Sequence, residues 1–251
     1  MKRPKFKLLV LYAFLGLNSA LNVFAQETFL SEEDFYEQEV DQCGHISDPF
    51  ESVNRYTFQF NDFVYHNILQ PLADSYKAVT PDRIEEGASK FFLNLNYPVR
   101  LSSNLIQGRL RVMWVETARF AINSTIGFGG LASPADNIEG LSPIKAEDLG
   151  QAFGAIGIGE GPYLVIPLLG PSNLRDLGGL IGNRAVNPVK EPFSLIDKWD
   201  WEYRLSVSGL DFINSSSDFL QQYNQLKGGA IDPYSSLKNG YTQYRRAAIT
   251  E

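Results

Sequence analysis

The sequence is poor in the residues that carry most covalent and metal chemistry, with one cysteine and two histidines among 251 residues. Because Cys43 is the single cysteine, no disulfide bond can form within the chain, and its thiol is either inert, free or paired with another molecule. His45 and His66 are too few for a histidine-rich metal cluster. No G-x-S-x-G nucleophile motif accompanies them. We therefore expect no catalytic residue, no metal and no cofactor.

Positive charge is also scarce. The chain has 22 Lys and Arg against 29 Asp and Glu, a net charge of -7, and no Lys or Arg from Leu8 through Asn54. A nucleic-acid-binding protein normally presents a basic face, so no nucleic-acid partner is expected. The glycines at 157, 159 and 161 do not form a dinucleotide-binding motif, because Pro162 follows where a helix would have to start.

The N-terminus has the pattern of an export signal. Four basic residues precede an apolar run over residues 8–25, which ends in Val23-Phe24-Ala25. This predicts a signal peptide (1–25) cleaved after Ala25; an uncleaved anchor is the alternative, although polar residues interrupt the run. Cys43 lies far beyond this run and lacks the small apolar residues that precede a lipoprotein cysteine, so a lipid anchor is not expected. Residues 26–47 predict an acidic flexible leader.

Helical periodicity dominates the rest of the chain. Asp48-Pro49-Phe50-Glu51 predicts the start of the first helix with Asp48 as its N-cap, and Asp232-Pro233 predicts the start of the last, which runs to about Arg246. The remaining predicted helices cover residues 81–95, 98–107, 110–127, 199–214 and 217–226.

Two regions depart from a simple pattern. Residues 128–195 are rich in glycine and proline and predict a long irregular segment, with Tyr163–Ile166 as a candidate strand. In the helix after Gly108, Leu110 and Trp114 belong to one apolar face, and Glu116 lies off it. The predicted fold is therefore mainly α with an irregular middle.

The first helix has aromatic residues on more than one side. Such a helix is either buried in a core or meets lipid as well as protein. Asn54, Arg55 and Asn61 give the same helix a polar strip. Polar and apolar strips together suit the wall of a passage for lipid, whose head group and tails need different partners; a simple core helix is the alternative.

Four blocks of the sequence resemble, in the same order, the motifs of the MlaA (VacJ) family. The resemblance covers about residues 48–246. The blocks are DPFESVNRYTFQFN at 48–61; NSTIGFGG at 123–130 with Ala135-Asp136; EDLGQ at 147–151 with GIGEGPYLVIPLLGPSNLRD at 157–176; and DPY at 232–234 with Tyr241 and Arg245-Arg246.

The resemblance implies a ring-like bundle of amphipathic helices around a central lipid channel. Members of the family lie in the inner leaflet of the outer membrane of Gram-negative bacteria, on its periplasmic side. They are thought to take mislocalised phospholipid from the outer leaflet and pass it to the periplasmic carrier MlaC. A trimeric porin is their usual membrane partner. Members often carry an N-terminal lipoprotein cysteine, which this sequence lacks.

In this interpretation the first helix contributes to the lipid passage. The residues expected to line or support it are Asn54, Arg55, Phe58, Phe60 and Asn61. Arg175-Asp176 is either a structural ion pair or a contact for a lipid head group, and the structural interpretation is favoured.

Glycines are expected to shape the passage, because glycine adopts backbone conformations that other residues disfavour. One set bends the chain at the edge of the ring, and the other is a gating hinge that leads into a rigid apolar lip. The bend comprises Gly127, Gly129 and Gly130; the hinge Gly157, Gly159 and Gly161; and the lip Pro162, Tyr163 and Pro167. Tyr163 is placed where hydrocarbon meets water. The alternative for every glycine is a tight turn with no moving part.

Two other functions compete with lipid transport. A secreted hydrolase of lipid or of an envelope polymer would release lysolipid or other products. A scaffold of the cell envelope would bind the membrane without moving lipid. The sequence favours transport, because the resemblance is strong and no catalytic constellation is present.

Overall fold

The computed structural model describes residues 46–188 and 201–250. The predicted signal peptide, the leader up to residue 45 with Cys43 and His45, residues 189–200 and Glu251 lie outside the described residues. No helix in the described part of the chain combines the length and the hydropathy needed to cross a membrane.

The described residues are mainly helical, as predicted. The helices are α1 (Glu51–Val64), α2 (Gln70–Val79), α3 (Asp82–Leu95), α4 (Tyr97–Ile106), α5 (Leu110–Thr125), α6 (Leu149–Ala155), α7 (Leu174–Val186), α8 (Trp201–Gly228) and α9 (Pro233–Thr250). A π-helical turn over Tyr65–Leu69 joins α1 to α2, and its flanking residues keep helical backbone angles, so both form one rod. Short 3-10 turns lie at Phe128–Gly130 and Pro134–Asn137.

The middle of the chain is more regular than the sequence predicted. The candidate strand Tyr163–Ile166 is confirmed as β1, which pairs antiparallel with β2 (Gly170–Asn173), Tyr163 lying opposite Asn173. The helices α6 and α7 flank this hairpin and were not predicted. The two helices expected on either side of Ser216 are a single helix, α8.

Glycines explain why α6 and α7 escape a periodicity search. The two helices cross so closely that a β-carbon on Gly179 would lie 2.3 Å from the Gly150 backbone nitrogen. A β-carbon on Gly182 would lie 2.7 Å from the Leu149 side chain. The close approach requires residues without side chains, and these residues weaken the helical signal in the sequence.

The predicted N-cap is correct for the last helix and wrong for the first. Asp232 accepts a hydrogen bond from the Tyr234 backbone nitrogen at 3.2 Å, and α9 begins at Pro233. In contrast, α1 begins at Glu51 without a side-chain cap. The Asp48 carboxylate is instead occupied by side chains of α1 and α9.

The main hydrophobic core lies between the α1–α2 rod, the hairpin, α8 and α9. Tyr65, only 1% exposed, is central to it. Its ring meets the rings of Phe219 and Tyr223 edge to face, each at a centroid distance of 5.1 Å. The buried members of this core are Tyr65, Leu69, Ala73, Tyr163, Val165, Phe212, Phe219, Leu220, Tyr223, Tyr234, Leu237 and Tyr241.

Two helices of this core, α8 and α9, also belong to a closed order of helix contacts. Helix α8 packs on α3, α3 on α4, α4 on α6 and α6 on α9, and α9 packs back on α8. The α1–α2 rod and the hairpin join this circuit at α8 and α9.

Candidate functional site

The inner side of α1 holds the hairpin through two asparagine side chains. The Asn54 amide donates to the Tyr163 carbonyl at 3.1 Å and accepts from the Val165 backbone nitrogen at 2.9 Å. Two helical turns further on, Asn61 donates to the Ile166 carbonyl at 2.9 Å. Each side-chain amide therefore takes the place of a neighbouring strand along the free edge of β1.

Asn61 also fixes the turn of the hairpin. It accepts a hydrogen bond from the Leu168 backbone nitrogen at 2.6 Å, and the Tyr65 hydroxyl donates to the Leu168 carbonyl at 3.1 Å. Leu168 needs this support because its φ of 67° lies in the left-handed region that branched side chains disfavour. The π-helical turn begins at Tyr65, so this distortion of the rod lies beside the hairpin turn that it helps to hold.

These contacts favour support over lining as the role of the two asparagines. Asn54 is 3% exposed and Asn61 is 2% exposed. Their amides bind the hairpin backbone, so they support it and do not offer a polar surface to a passage. The placement of Tyr163 at an apolar lip is wrong: its side chain is 2% exposed and belongs to the core. Pro162 is half-buried, and Pro167 is exposed.

Asp48 ties the start of the fold to its last helix. Its carboxylate accepts hydrogen bonds from Asn54 at 2.8 Å, from the Tyr234 hydroxyl at 2.5 Å and from the Lys238 ammonium at 3.0 Å. Burial by itself raises the pKa of Asp48, but the hydrogen bonds from Tyr234, Lys238 and Asn54 together outweigh it and hold the pKa below its usual value.

Arg55 makes a second connection between α1 and α9. Its guanidinium pairs with the Asp232 carboxylate at 2.8 Å and with Glu51 at 2.8 Å, and it lies 4.3 Å from the centroid of the Tyr234 ring. The hydrogen bonds from Arg55 and then from Ser235 hold the pKa of Asp232 well below its usual range. Arg55 is half-buried and already paired, so it supports the α1–α9 contact.

A buried charge network joins α6, α7 and α9. The Arg245 guanidinium contacts Asp148 at 2.7 Å and Asp176 at 2.9 Å. Asp176 also accepts from Arg175 at 2.9 Å and from the Tyr241 hydroxyl at 2.6 Å. Burial raises the pKa of Asp176, but the charge of Arg245 and the hydrogen bond from Arg175 outweigh it and lower the pKa to about 2.

This network also fixes where two helices begin. Asp148 caps α6 by accepting from the Gln151 backbone nitrogen at 2.8 Å. Asn173 caps α7 by accepting from the Asp176 backbone nitrogen at 2.8 Å. Arg175 and Asp176 thus form the structural ion pair that the sequence favoured. The sequence did not assign a role to Asp148 or Arg245, although both lie in the blocks that carry the family resemblance.

The outer side of α1 is apolar and exposed. Val53, Tyr56, Phe60 and Phe63 follow one another at helical spacing, on the side of the helix away from Asn54. Their exposed fractions are 63%, 75%, 49% and 62%. Phe58, in contrast, packs against the core and contacts the Tyr234 ring at 5.9 Å.

Helix α5 is oriented in the same way, with apolar residues outward and a charge inward. Leu110 is 58% exposed and Trp114 is 69% exposed. Glu116 is 3% exposed and pairs with Arg100 of α4 at 2.8 Å. Leu110 and Trp114 of the predicted apolar face therefore point away from the body of the protein, whereas Phe120 of the same face stacks on Tyr97 of α4 at a centroid distance of 4.2 Å.

The two glycine sets differ in their packing. In the bend, Gly129 and Gly130 have φ of 77° and 101°. Gly127 has ordinary backbone angles but no room for a side chain, because a β-carbon would lie 2.3 Å from the Ala132 carbonyl oxygen. In the hinge segment, Gly157 and Gly161 have φ of 94° and 69°.

Gly159, the third hinge residue, has neither constraint. It is absent from the residues with positive φ, and a β-carbon on it would meet nothing within 4 Å. The structure therefore requires glycine at Gly157 and Gly161 for backbone geometry, whereas at Gly159 it leaves the choice of residue open.

The fold and these surfaces define an α-helical protein that buries charged and amide side chains and exposes apolar stripes. Its family follows from comparison with known proteins. The chain belongs to the MlaA lipoprotein family, whose model matches residues 46–248. The resemblance found in the four sequence blocks is thereby confirmed.

Relatives and a solved structure agree with this assignment. A protein of Rickettsia bellii is 30% identical over 211 residues, 84% of this chain and 80% of the relative. The intermembrane phospholipid transport system lipoprotein MlaA of Escherichia coli is 29% identical over 206 residues, 81% of this chain and 78% of the relative. A solved structure from work on the structural basis for maintenance of bacterial outer membrane lipid asymmetry superposes with a TM-score of 0.66 at 25% identity, covering 81% of this chain and 99% of that one.

Proposed function

We propose that this chain is a phospholipid transport protein on the periplasmic side of the outer membrane. It removes mislocalised phospholipid from the outer leaflet and passes it to a periplasmic carrier, thereby maintaining the lipid asymmetry of the membrane. Family membership supports this proposal, because relatives from Escherichia coli and Haemophilus influenzae are named as lipoproteins of an intermembrane phospholipid transport system.

The observation that carries the proposal is the distribution of polar and apolar side chains. Outward stripes on α1 and α5 expose large apolar residues, including Phe63 and Trp114, whereas Asn61 and Glu116 on the same helices are buried. Contiguous exposed apolar surface marks a site of interaction. Amphipathic helices of this kind lie in a leaflet at the depth of the head groups, with their apolar side in the acyl chains. The inner leaflet of the outer membrane is the surface that this arrangement fits.

A central channel is the second part of the proposal. The closed order of contacts through α8, α3, α4, α6 and α9 supports a ring, because a ring requires each helix to contact two neighbours and the last to return to the first. The passage through the ring carries one phospholipid at a time without a covalent step at this chain. The loop 156–161 gates it, a trimeric porin holds the ring in the membrane, and MlaC receives the lipid.

Deletion of the gene in the bacterium that makes this protein tests the proposal. Outer-leaflet phospholipid, measured by its accessibility to an added phospholipase or acyltransferase, should rise together with detergent sensitivity, and the full-length gene should restore both. Unchanged outer-leaflet phospholipid and unchanged detergent sensitivity would contradict transport.

A pair of variants connects the phenotype to the outward stripe. Phe63→Asp places a charge on the exposed apolar side of α1 and should fail to restore asymmetry, because a charge in the acyl-chain region is costly. Gln221→Asp adds the same charge at an exposed polar position of α8 and should restore it. Equal restoration by both variants would remove the support that the stripe gives.

A further inference from the structure

The turn that follows α5 presents large apolar side chains to the outside. Ile126 is 68% exposed, Phe128 is 82% exposed and Leu131 is 53% exposed. They lie within six consecutive residues around the short 3-10 turn Phe128–Gly130. Three such side chains on one turn form a compact apolar projection, here called the 126–131 turn.

This turn has a built scaffold. The Asn94 amide of α3 donates to the Gly129 carbonyl at 3.3 Å and to the Ser124 hydroxyl at 2.9 Å. A β-carbon on Gly130 would lie 2.5 Å from the Asn94 side chain, and Gly127 is packed with similarly little room. The turn is thus locked between α3 and α5, and its apolar side chains are held outward by packing on its inner side.

Phe128 has an unfavourable backbone conformation in this scaffold. Its φ of 54° lies in the left-handed region, which is strained for a residue with a large side chain. Because 82% of the residue is exposed, the aromatic ring gains little packing within the chain in return. Strain of this kind persists where the surroundings determine it and is concentrated at functional sites. A ring held outward in a glycine-like conformation therefore indicates a binding partner.

The chemistry of the turn identifies hydrocarbon as that partner. No charged residue occurs between Arg119 and Asp136. The two ends of the turn are bonded within the chain: the Gly127 nitrogen donates to the Ile122 carbonyl at 3.2 Å, and the Ala132 nitrogen donates to the Gly127 carbonyl at 3.0 Å. Moving the side chains of the turn out of water therefore desolvates no charged group. The irregular backbone of the turn has to stay at the level of the head groups, because lipid-exposed irregular backbone is not tolerated among the acyl chains.

We propose that the 126–131 turn is a wedge whose apolar side chains insert into the acyl-chain region of a phospholipid bilayer, with Phe128 at its tip. This inference rests on the membrane location in the proposed function and goes beyond it. The helical stripes lie along the leaflet, whereas the turn projects into the leaflet and fixes the depth and tilt of this end of the protein.

Depth-dependent fluorescence quenching tests the wedge on the full chain. Cys43→Ser provides a background without thiols, and an environment-sensitive fluorophore is then attached at Phe128→Cys, Phe63→Cys or Ile231→Cys in separate preparations. Ile231 is the matched control, because it is an apolar residue in a turn, is fully exposed and is flanked by Asp232. Each protein is reconstituted into phosphatidylethanolamine vesicles containing some phosphatidylglycerol, with bromine atoms at a shallow or a deep position of the acyl chains.

The wedge predicts a blue shift at position 128 and stronger quenching by deep than by shallow bromines. Position 63 should be quenched more by shallow bromines, and position 231 should be quenched only by aqueous iodide. If 63 is quenched by brominated lipid and 128 is not, the wedge is overturned while the proposed membrane location stands. If neither is quenched by lipid, both fail. If 128 is protected from iodide only when a porin is added, the turn binds protein and the wedge is equally overturned.

A second experiment tests the wedge without a fluorophore, in case the label at position 128 disturbs the fold. Phe128→Asp removes the apolar side chain at the tip, and the aspartate that replaces it tolerates a left-handed backbone conformation. Vesicle binding of Phe128→Asp should fall several-fold relative to the unaltered chain, and Ile231→Asp should bind as the unaltered chain does. Circular dichroism and thermal unfolding verify that both variants fold. Equal vesicle binding by the two folded variants would overturn the wedge.

Discussion

The hairpin Tyr163–Asn173 and the loop 156–161 that precedes it are neighbours in the chain with opposite character. The hairpin is largely buried, and its free edge is held by Asn54 and Asn61. The loop is exposed: Ile156 and Ile158 are 53% and 47% accessible, and Gly157 and Gly159 have empty space around them. The hairpin is thus a stiff support, and the loop is the segment that we propose as a gate.

The exposed part of this loop, residues 156–159, ends at Glu160, which is held by contacts. Glu160 pairs with Arg246 of α9 at 2.6 Å, and its carbonyl accepts from the Arg175 backbone nitrogen at 3.2 Å. If loop 156–161 is the proposed gate, we expect its motion to be concentrated in residues 156–159, with the hairpin staying fixed.

The largest expected effect on the free energy of unfolding comes from the buried charge network that joins α6, α7 and α9. Asp176→Asn removes a buried negative charge that faces Arg245 and Arg175, and should lower the free energy of unfolding by about 3 to 5 kcal/mol. Asp74→Asn, the same change at an exposed position of α2, is the control and should be near neutral. Chemical denaturation of the purified protein measures both. A loss below about 1 kcal/mol for Asp176→Asn, within the range of surface ion pairs, would contradict the role of the network.

The next effect concerns the hold of α1 on the hairpin. Asn61→Ala leaves the backbone nitrogen of the half-buried Leu168 without its acceptor and should cost about 1 to 3 kcal/mol. Asn67→Ala, at an exposed position of the neighbouring π-helical turn, should change stability by less than about 0.5 kcal/mol. Equal effects of the two changes would mean that the hairpin does not depend on Asn61.

Acid should weaken the fold through Asp176. Its pKa is about 2 in the folded chain, below the ordinary value of 3.8, so ionised Asp176 stabilises the fold above about pH 4. That contribution, about 2 kcal/mol, is lost as the pH falls through the folded pKa. Unfolding free energies measured at several pH values should fall more steeply below pH 4 for the unaltered chain than for Asp176→Asn. Parallel curves would contradict the assignment.

The smallest effects on stability are expected at Gly157 and Gly159, the two glycines of residues 156–159. Gly157→Ala places a side chain at a φ of 94° and should cost about 1 to 2 kcal/mol. Gly159 lies two residues away, its φ is outside the left-handed region, and a β-carbon there would meet nothing within 4 Å. Gly159→Ala should therefore leave stability unchanged or raise it slightly. The reverse ranking in thermal unfolding would show that the backbone geometry of this loop is different.

The same pair of positions tests whether the segment moves. Gly159→Pro restricts the backbone where the structure imposes no packing limit, so the fold should survive while outer-leaflet phospholipid accumulates. Gly159→Ala should retain normal asymmetry. Normal asymmetry in a folded Gly159→Pro variant would exclude gating by this segment.

Most helices were predictable because their apolar residues recur at helical spacing, and the start of α9 was predictable because Asp232 and Pro233 form a local signal. What failed were predictions that depend on distant partners. Asp48 has the same local signal, yet its carboxylate is used by Lys238 and Tyr234 across the fold. Helices α6 and α7 were hidden because glycine is required where the two cross.

Helical periodicity also did not reveal which side of a helix faces inward. The apolar face of α5 was identified correctly, but hydrophobicity alone does not distinguish a face that packs on protein from one that meets lipid. The inward position of Glu116 depends on Arg100, which belongs to another helix. Likewise Tyr163 was expected at a surface, and its burial follows from packing against α9 and α1, which the sequence of the hairpin does not contain.

Mass spectrometry of the purified full chain shows directly whether this protein carries intact phospholipid. We expect intact phospholipid bound to the protein, and no lysolipid or free fatty acid released when the protein is incubated with vesicles. Release of lysolipid or fatty acid would identify a hydrolase, and the absence of any bound phospholipid would contradict a lipid passage.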